Sequence, residues 1–160
     1  MERVDRILRH EAFRFHLRQN EEAERERRFC KHGIEHFLDV ARIAAIMNLE
    51  EELSIEKEII YATALLHDIG KHVQYEDGTP HELAGAELAP SILQDCGFHA
   101  EEVEQIVDAI LVHRKSEVRE EPNLRGLLYR ADKASRACFA CKAQKDCNWK
   151  DGKKNFREVM

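Results

Sequence analysis

The 160-residue chain contains few residues that break helices, with only 7 Gly and 3 Pro. Gly and Pro mark most tight turns, so few turns of this chain can be marked in that way. Charged residues make up 35% of the chain, and Ala, Glu, Leu and Arg are abundant. This composition predicts a mostly helical protein, and the length fits one domain with a buried hydrophobic core.

The chain also lacks a long hydrophobic run. No apolar stretch approaches the ~18 residues that span a bilayer, and the first thirty residues are charged throughout. We therefore expect no membrane anchor and no signal peptide, and we expect the protein in the cytoplasm. The formal net charge of −6 argues against a surface built to bind nucleic acid. It does not exclude a small anionic substrate, because a bound metal ion can reverse the local field.

The residue pattern predicts five helices in the body of the chain, over about 29–47, 55–67, 81–94, 100–115 and 124–143. A further helix is expected over about 2–28, with a solvated end in the densely charged stretch 22–28. Turn-forming residues predict a loop over 73–80. We divide the chain into a charged N-terminal helix that packs on the domain (1–28), a core (29–137) and a cysteine-containing extension (138–160).

Six histidine and aspartate residues fall on the inward side or at the ends of these helices: His36, His67, Asp68, His81, His113 and Asp132. His36 lies beside the core position Phe37, and His113 follows Ile110 at a helical step. Taken singly, each could be a structural histidine or a capping acid. Several imidazoles and carboxylates that face one interior are costly to bury without a cation, and together they suit Zn, Mn, Fe or Co.

The order and spacing of these residues resemble those of the HD-domain superfamily of metal-dependent phosphohydrolases. Two segments carry the resemblance further: Ala64-Leu65-Leu66-His67-Asp68-Ile69-Gly70-Lys71 and Ala131-Asp132-Lys133. The resemblance covers roughly residues 29–137 and implies an all-α, single-domain helical bundle of the HD type. It also implies a first metal position held by His36, His67, Asp68 and Asp132. His81 and His113 would hold a second ion, with Asp68 as the bridge between the two.

Within the superfamily the chain looks most like the short bacterial members that split dinucleoside tetraphosphates, through its segment His81-Glu-Leu-Ala-Gly-Ala. Arg114, directly after the last histidine, and the cysteine-rich end depart from that pattern. The resemblance implies that Asp68 and Lys71 are catalytic, with Lys71 reaching a phosphoryl oxygen, although a lysine at a helix end can equally be a surface residue. Arg114 could bind phosphate through two parallel hydrogen bonds.

Five cysteines in a chain expected in a reducing compartment do not indicate a disulfide framework. Cys138, Cys141 and Cys147 form a Cys-x2-Cys-x5-Cys pattern, and Cys30 could supply a fourth thiolate. Four thiolates would suit structural zinc or an iron–sulfur cluster, and Cys-x-x-Cys slightly favours zinc because it is the commonest half of a structural zinc site. Reduced, partly buried thiols are the alternative. Cys96 is expected to be a small buried hydrophobe.

The sequence thus predicts a metal-dependent phosphohydrolase that acts on a nucleotide or a related small phosphate ester, with one or two divalent ions of Fe, Mn, Co, Zn or Mg. An HD-type di-iron oxygenase and a non-catalytic module that senses metal or redox state stay open. His32 shares a helical face with His36 and would either replace or support it. His36 is preferred because Val40-Ala41 follows it at the family's distance. Substrate, metal identity and oligomeric state are left open.

Overall fold

A computed structural model describes residues 1–156. Within them the chain forms no β-strand, and the all-α prediction is confirmed. The eight α-helices of the described part are α1 (Glu2–Arg9), α2 (Glu11–Ala23), α3 (Ile34–Glu50), α4 (Lys57–Leu66), α5 (Lys71–Asp77), α6 (His81–Asp95), α7 (Ala100–Val112) and α8 (Leu124–Ala134). None of these helices is both long and apolar enough to cross a membrane. The last four residues of the predicted extension, 157–160, lie outside the described residues.

The core of the bundle lies between the amphipathic faces of five helices. α3 packs along α4 and α8, α6 packs along α7, and α7 also contacts α4 and α8. The large side chains that are almost completely buried between them include Phe37, Ile60, Leu65, Leu66, Ile92, Leu93, Ile106, Ile110 and Leu127. Burial of each such side chain contributes about 1.5–3 kcal/mol, so this core is the main source of the rigidity around it.

The predicted N-terminal helix is in fact two helices that meet at His10, where the backbone is extended (φ −63°, ψ 131°). This bend lets Ile7 on α1 and Phe13 on α2 both bury their side chains in the core. Arg3 ties α1 to the bundle, because its guanidinium donates to Glu58 at 2.6 Å and to Glu102 at 2.7 Å.

The prediction of a loop over residues 73–80 is wrong, because most of these residues belong to helix α5. The turn chemistry acts only at the end of this helix, where Gly78 adopts a left-handed backbone with φ 86°. Gly70, at the start of α5, has a φ of −85° and is required for a different reason. A Cβ at Gly70 would lie 2.6 Å from the backbone nitrogen of Gly85, so only glycine lets α5 approach α6 this closely.

Two segments predicted to be helical are irregular. The helix predicted from residue 29 begins at Ile34, and the helix predicted to reach 143 ends at Ala134. Beyond α8, the chain forms short 3-10 turns at Cys138–Ala140, Gln144–Asp146 and Asp151–Lys153. In the described part of the extension only Cys138 and Ala143 are buried, so a long helix there would have no apolar face to pack.

Candidate metal centre

Four buried side chains from three places in the bundle form a first candidate ligand group. His36 lies on α3, His67 and Asp68 occupy the turn after α4, and Asp132 lies on α8. One potential ligand atom of each lies within 4.8 Å of the others. Nε2 of His36 is 3.6 Å from Oδ2 of Asp68 and 3.4 Å from Oδ1 of Asp132. The structure therefore brings together the four residues expected to hold a first ion.

A second group shares Asp68 with the first. His81 begins α6, His113 directly follows α7, and both are buried. Nε2 of His81 lies 3.0 Å from Oδ1 of Asp68, and Nε2 of His113 lies 3.5 Å from the same oxygen. Oδ2 of Asp68 faces the first group and Oδ1 faces the second, so one carboxylate can serve both.

The histidines are oriented by hydrogen bonds on the side away from Asp68. Nδ1 of His67 donates to the carbonyl of Ala64 at 2.7 Å, and Nδ1 of His113 donates to the carbonyl of Ile110 at 2.7 Å. A proton fixed on Nδ1 leaves the lone pair of Nε2 directed at the site. This is the arrangement that metal-binding histidines adopt.

Asp68 is held by the buried amide of Asn20 on α2. The Asn20 side chain donates to the Asp68 carbonyl at 2.9 Å and accepts from the backbone N–H of His72 at 2.8 Å. It therefore fixes the ligand turn and the first turn of α5 together. Asn20 is not among the residues predicted from the sequence, because a lone amide in a charged helix carries no periodic signal.

The charge balance of the site fits a cation. Nε2 of His67 and Oδ1 of Asp68 are buried and have close polar neighbours in the described chain, but none of these has the geometry of a hydrogen bond, and an unmade bond costs about 1–3 kcal/mol for each such group. Burial lowers the pKa of His67, but the charges of Asp68 and Asp132 outweigh this effect and raise it to about 10. The carboxylates of Asp68 and Asp132 therefore favour the binding of a positive charge at the point where the ligand atoms converge.

Arg136 supplies part of that positive charge. It follows Asp132 by four residues, is nearly buried, and donates to Oδ1 of Asp132 at 3.0 Å. Nη2 of Arg136 also lies 3.1 Å from Nε2 of His36. Arg136 is not among the residues predicted from the sequence, although its four-residue spacing from Asp132 in the predicted helix could have indicated it.

His32 lies beside the first group and is held by Glu24. The backbone N–H and Nδ1 of His32 both donate to Glu24 at 2.6 Å, and the Tyr75 hydroxyl donates to it at 2.6 Å. Burial raises the pKa of Glu24, but these hydrogen bonds outweigh it and lower the pKa to about 2. Nε2 of His32 is 3.8 Å from Oδ2 of Asp68. His32 thus supports the group that contains His36, and Glu24 is buried although its stretch was predicted to be solvated.

A cavity of about 680 Å³ opens above both groups. Its floor includes Asp68, His81, His113 and Asp132. Its walls carry seven cationic side chains: Arg27, Arg28, Lys71, Arg114, Lys133, Arg136 and Lys154. The cavity is therefore rich in positive charge although the whole chain has a net charge of −6, and it favours anionic ligands.

The predicted phosphate-binding residues differ in position. Nζ of Lys71 lies 3.2 Å from Nδ1 of His81, beside the second group, and burial lowers its pKa. Arg114 is exposed at the rim of the cavity, where it pairs with Glu82 at 3.2 Å. Lys71 is thus the nearer of the two to the ligand atoms.

The four cysteines expected to bind a cofactor, Cys30, Cys138, Cys141 and Cys147, all line the same cavity. No three of their sulfurs lie within 4.8 Å of one another in the described structure. Zn–S bonds of about 2.3 Å place the sulfurs of a tetrahedral zinc site about 3.8 Å apart. The structure therefore gives no support to the slight preference for zinc. Cys96 is 1% exposed in the core, as expected.

Comparison with known proteins confirms the resemblance to the HD domain. The family model for the HD domain matches residues 33–141. An uncharacterized protein of Clostridium beijerinckii is 50% identical over 157 residues, which cover 98% of each chain. The crystal structure of a predicted HD superfamily hydrolase from an uncultured Thermotogales bacterium has a TM-score of 0.62 at 24% identity. The match covers 88% of this chain and 80% of that one, and it supports the fold.

Larger proteins named ribonuclease Y share part of the chain. That of Chloroflexus aurantiacus is 37% identical over 86 residues, which are 49% of this chain and 16% of that protein. That of Clostridium kluyveri is 31% identical over 123 residues, which are 68% of this chain and 23% of that protein. The chain thus spans less than a quarter of the length of either ribonuclease.

Proposed function

Since the chain belongs to the HD-domain family, we propose that it is a metal-dependent phosphohydrolase acting on a nucleotide or a related small phosphate ester. The observation that carries this proposal is the position of Asp68. Its two carboxylate oxygens face two separate histidine groups at the floor of a cavity with cationic walls.

The ligand set suits divalent ions of Fe, Mn, Co, Zn or Mg, because it combines imidazoles with carboxylates. His36, His67, Asp68 and Asp132 would hold one ion, and Asp68, His81 and His113 would hold a second. Such ions supply Lewis acidity and lower the pKa of water, which is the chemistry that phosphate ester hydrolysis requires.

The side chains around this set bind and orient the phosphate. Lys71 lies beside His81 and offers a compact positive charge to a phosphoryl oxygen. Arg136 has five N–H donors, so it can keep its bond to Asp132 and present further donors to the cavity that it lines. Arg114 at the rim is placed for a more distant phosphate of the same substrate.

His32 acts as a positioning residue. Its Nδ1–H donates to Glu24, so its Nε2 is directed towards Oδ2 of Asp68. The pair His32–Glu24 therefore maintains the geometry of Asp68 from a position at which His32 itself lines the cavity.

A phosphate-release screen tests the proposal. Protein loaded in turn with Mn, Co, Fe or Mg is offered nucleotides, dinucleoside polyphosphates and simple phosphate esters, with Asp68→Ala as the inactive variant. Asp39→Ala, an exposed aspartate on the same helix as His36, is the matched control. We expect metal-dependent release by the wild type and Asp39→Ala only. A fully loaded protein that hydrolyses no member of the panel would contradict the proposal.

A short RNA belongs in the same panel, because relatives named ribonuclease Y share the HD region. If the protein cleaved RNA in preference to nucleotides, it would still hydrolyse a phosphate ester. Its substrate would then be a polymer and not a small molecule. Oxygen uptake by iron-loaded protein without phosphate release would instead favour the oxygenase.

A further inference from the structure

We propose that Cys30, Cys138, Cys141 and Cys147, here called the thiol group, bind an iron–sulfur cluster at the wall of the cavity. The site is separate from the HD ligand set and does not depend on the proposed hydrolysis. Four of the five cysteines of the chain line this one cavity, although Cys30 is remote in sequence from the other three. The fifth, Cys96, is buried in the hydrophobic core.

Specific contacts hold the two cysteine-bearing segments together. Nη2 of Arg28 donates to Asp146 at 2.8 Å, which joins the loop of Cys30 to the turn that precedes Cys147. Nε of Arg27 donates to the carbonyl of Cys30 at 2.9 Å. The first bond links Cys30's loop to the extension, although more than a hundred positions separate them along the chain, and the second orders that loop.

Within the extension, consecutive turns connect the three remaining cysteines. The backbone N–H of Cys141 donates to Cys138 at 3.2 Å, that of Gln144 to Cys141 at 3.3 Å, and that of Cys147 to Gln144 at 3.4 Å. The Gln144 side chain also donates to the carbonyl of Cys138 at 2.9 Å. These bonds fold the segment from Cys138 to Cys147 into two short turns, which keep the three cysteines within one compact stretch of chain.

The extension has no hydrophobic core of its own that could hold these turns in place. Only Cys138 and Ala143 are buried between residues 138 and 156, while Phe139 and Phe156 are 53% and 47% exposed. Short segments that cannot bury enough apolar surface are commonly held in place by a bound metal. The side chain of Asn155 donates to the carbonyls of Lys133 and Arg136, and a cluster bound by the thiols would add a second point of attachment for this segment.

The spacing and the charges favour a cluster over a single zinc ion. In the described structure no three of the sulfurs lie within 4.8 Å of one another, whereas one tetrahedral zinc brings all four to about 3.8 Å. A cluster of several iron and sulfide ions spreads its cysteine ligands further apart. Four thiolates add negative charge, and Arg27, Arg28, Arg136 and Lys154 line the same cavity and compensate for it.

Metal and sulfide analysis of the full chain, purified without oxygen, tests the proposal. We expect acid-labile sulfide together with the broad visible absorption of an iron–sulfur cluster. In the Asp68→Ala variant, which lacks the HD ions, iron and sulfide should be present in equal amounts. Zinc without sulfide, or neither metal nor sulfide, would overturn the proposal.

Single substitutions locate the cluster. Cys141→Ser should lose most of the sulfide and the visible absorption, whereas Cys96→Ala should keep both. Helix content measured by circular dichroism should stay unchanged in Cys141→Ser, because Cys141 lies outside the helices. If Cys141→Ser retained the full sulfide content, the thiol group would not be the site.

Discussion

The two sides of the cavity hold their candidate ligands in different ways. On the HD side, His67 and His113 are buried and their rings are fixed by hydrogen bonds to helix carbonyls. On the side of the thiol group, Cys30 is exposed and Cys141 and Cys147 are half-buried in irregular turns. The helical core therefore builds the HD ligand set before any ion binds, whereas the thiol group depends on its cofactor for order. Each side should respond differently to mutation and to loss of its ligand.

Removal of Asp68 should have the largest effect and should affect one side alone. In Asp68→Ala we expect the HD ions to be lost and hydrolysis to fall by more than roughly 10³-fold, since loss of even one hydrogen bond to a transition state costs about 10²–10³. Acid-labile sulfide should remain at its wild-type level. Metal and sulfide content measured on the same sample checks both statements, and loss of sulfide would show that the two sides are coupled.

Removal of the Glu24 charge should destabilise the wall beside the HD ligand set in a pH-dependent way. The pKa of Glu24 is lowered to about 2 from an ordinary 4.5, so its carboxylate stabilises the folded state fully above about pH 4.5 and loses this effect as the pH falls towards 2. Glu24→Gln should therefore be less stable by on the order of 3 kcal/mol at neutral pH, with a gap that narrows below pH 4.5.

Urea unfolding across this pH range measures the difference in free energy of unfolding between the wild type and Glu24→Gln. Glu26→Gln, an exposed neighbour in the same turn, is the control and should match the wild type at every pH. If the difference in stability between the wild type and Glu24→Gln did not change with pH, the charge of Glu24 would not be what stabilises the fold.

The substitution Gly70→Ala should destabilise the HD side, because the added methyl group would clash with the backbone of α6. Its Cβ would lie 2.6 Å from the nitrogen of Gly85, and overpacking of this kind costs about 1–3 kcal/mol. Gly152→Ala in the extension meets no atom within 4 Å and should be neutral. Thermal unfolding of both variants tests the contrast, and equal stabilities would show that α5 and α6 can separate without penalty.

Substitution within the thiol group should have the smallest effect on the fold. Cys141→Ser touches no helix, so the helical core should lose less than about 1 kcal/mol, in the range usual for sites away from the core. Protease sensitivity should rise only beyond α8, which ends at Ala134. Cooperative unfolding of the whole bundle at much lower urea would instead make the extension part of the core.

The sequence was informative where residue type and helical spacing coincide. His36, His67, His113 and Asp132 lie on or beside apolar helices, and the structure places the first, second and fourth of them in one group around Asp68 and His113 in the other. The helix at 71–77 could not be read from the pattern, because seven residues are marginal as an isolated helix. Its first turn is held by the side chain of Asn20, which is remote in sequence.

Long-range partners account for the remaining differences. Glu24 sits in a stretch with the composition of a solvated surface, and only its contacts with His32 and Tyr75 reveal that it is buried. The end of α8 was placed too late because the residues beyond Ala134 have helical propensity but no partner face. Burial of a charge and the packing of a short segment are tertiary properties, so local sequence does not encode them directly.

The position of metal ions around Asp68 tests the central claim most directly. Crystals of the wild-type protein loaded with Mn²⁺, measured for anomalous scattering, should contain two peaks. One peak should lie among His36, His67 and Asp132 and the other beside His81 and His113, with one oxygen of Asp68 bound to each. A single peak, or peaks that Asp68 does not touch, would contradict its role as the bridge.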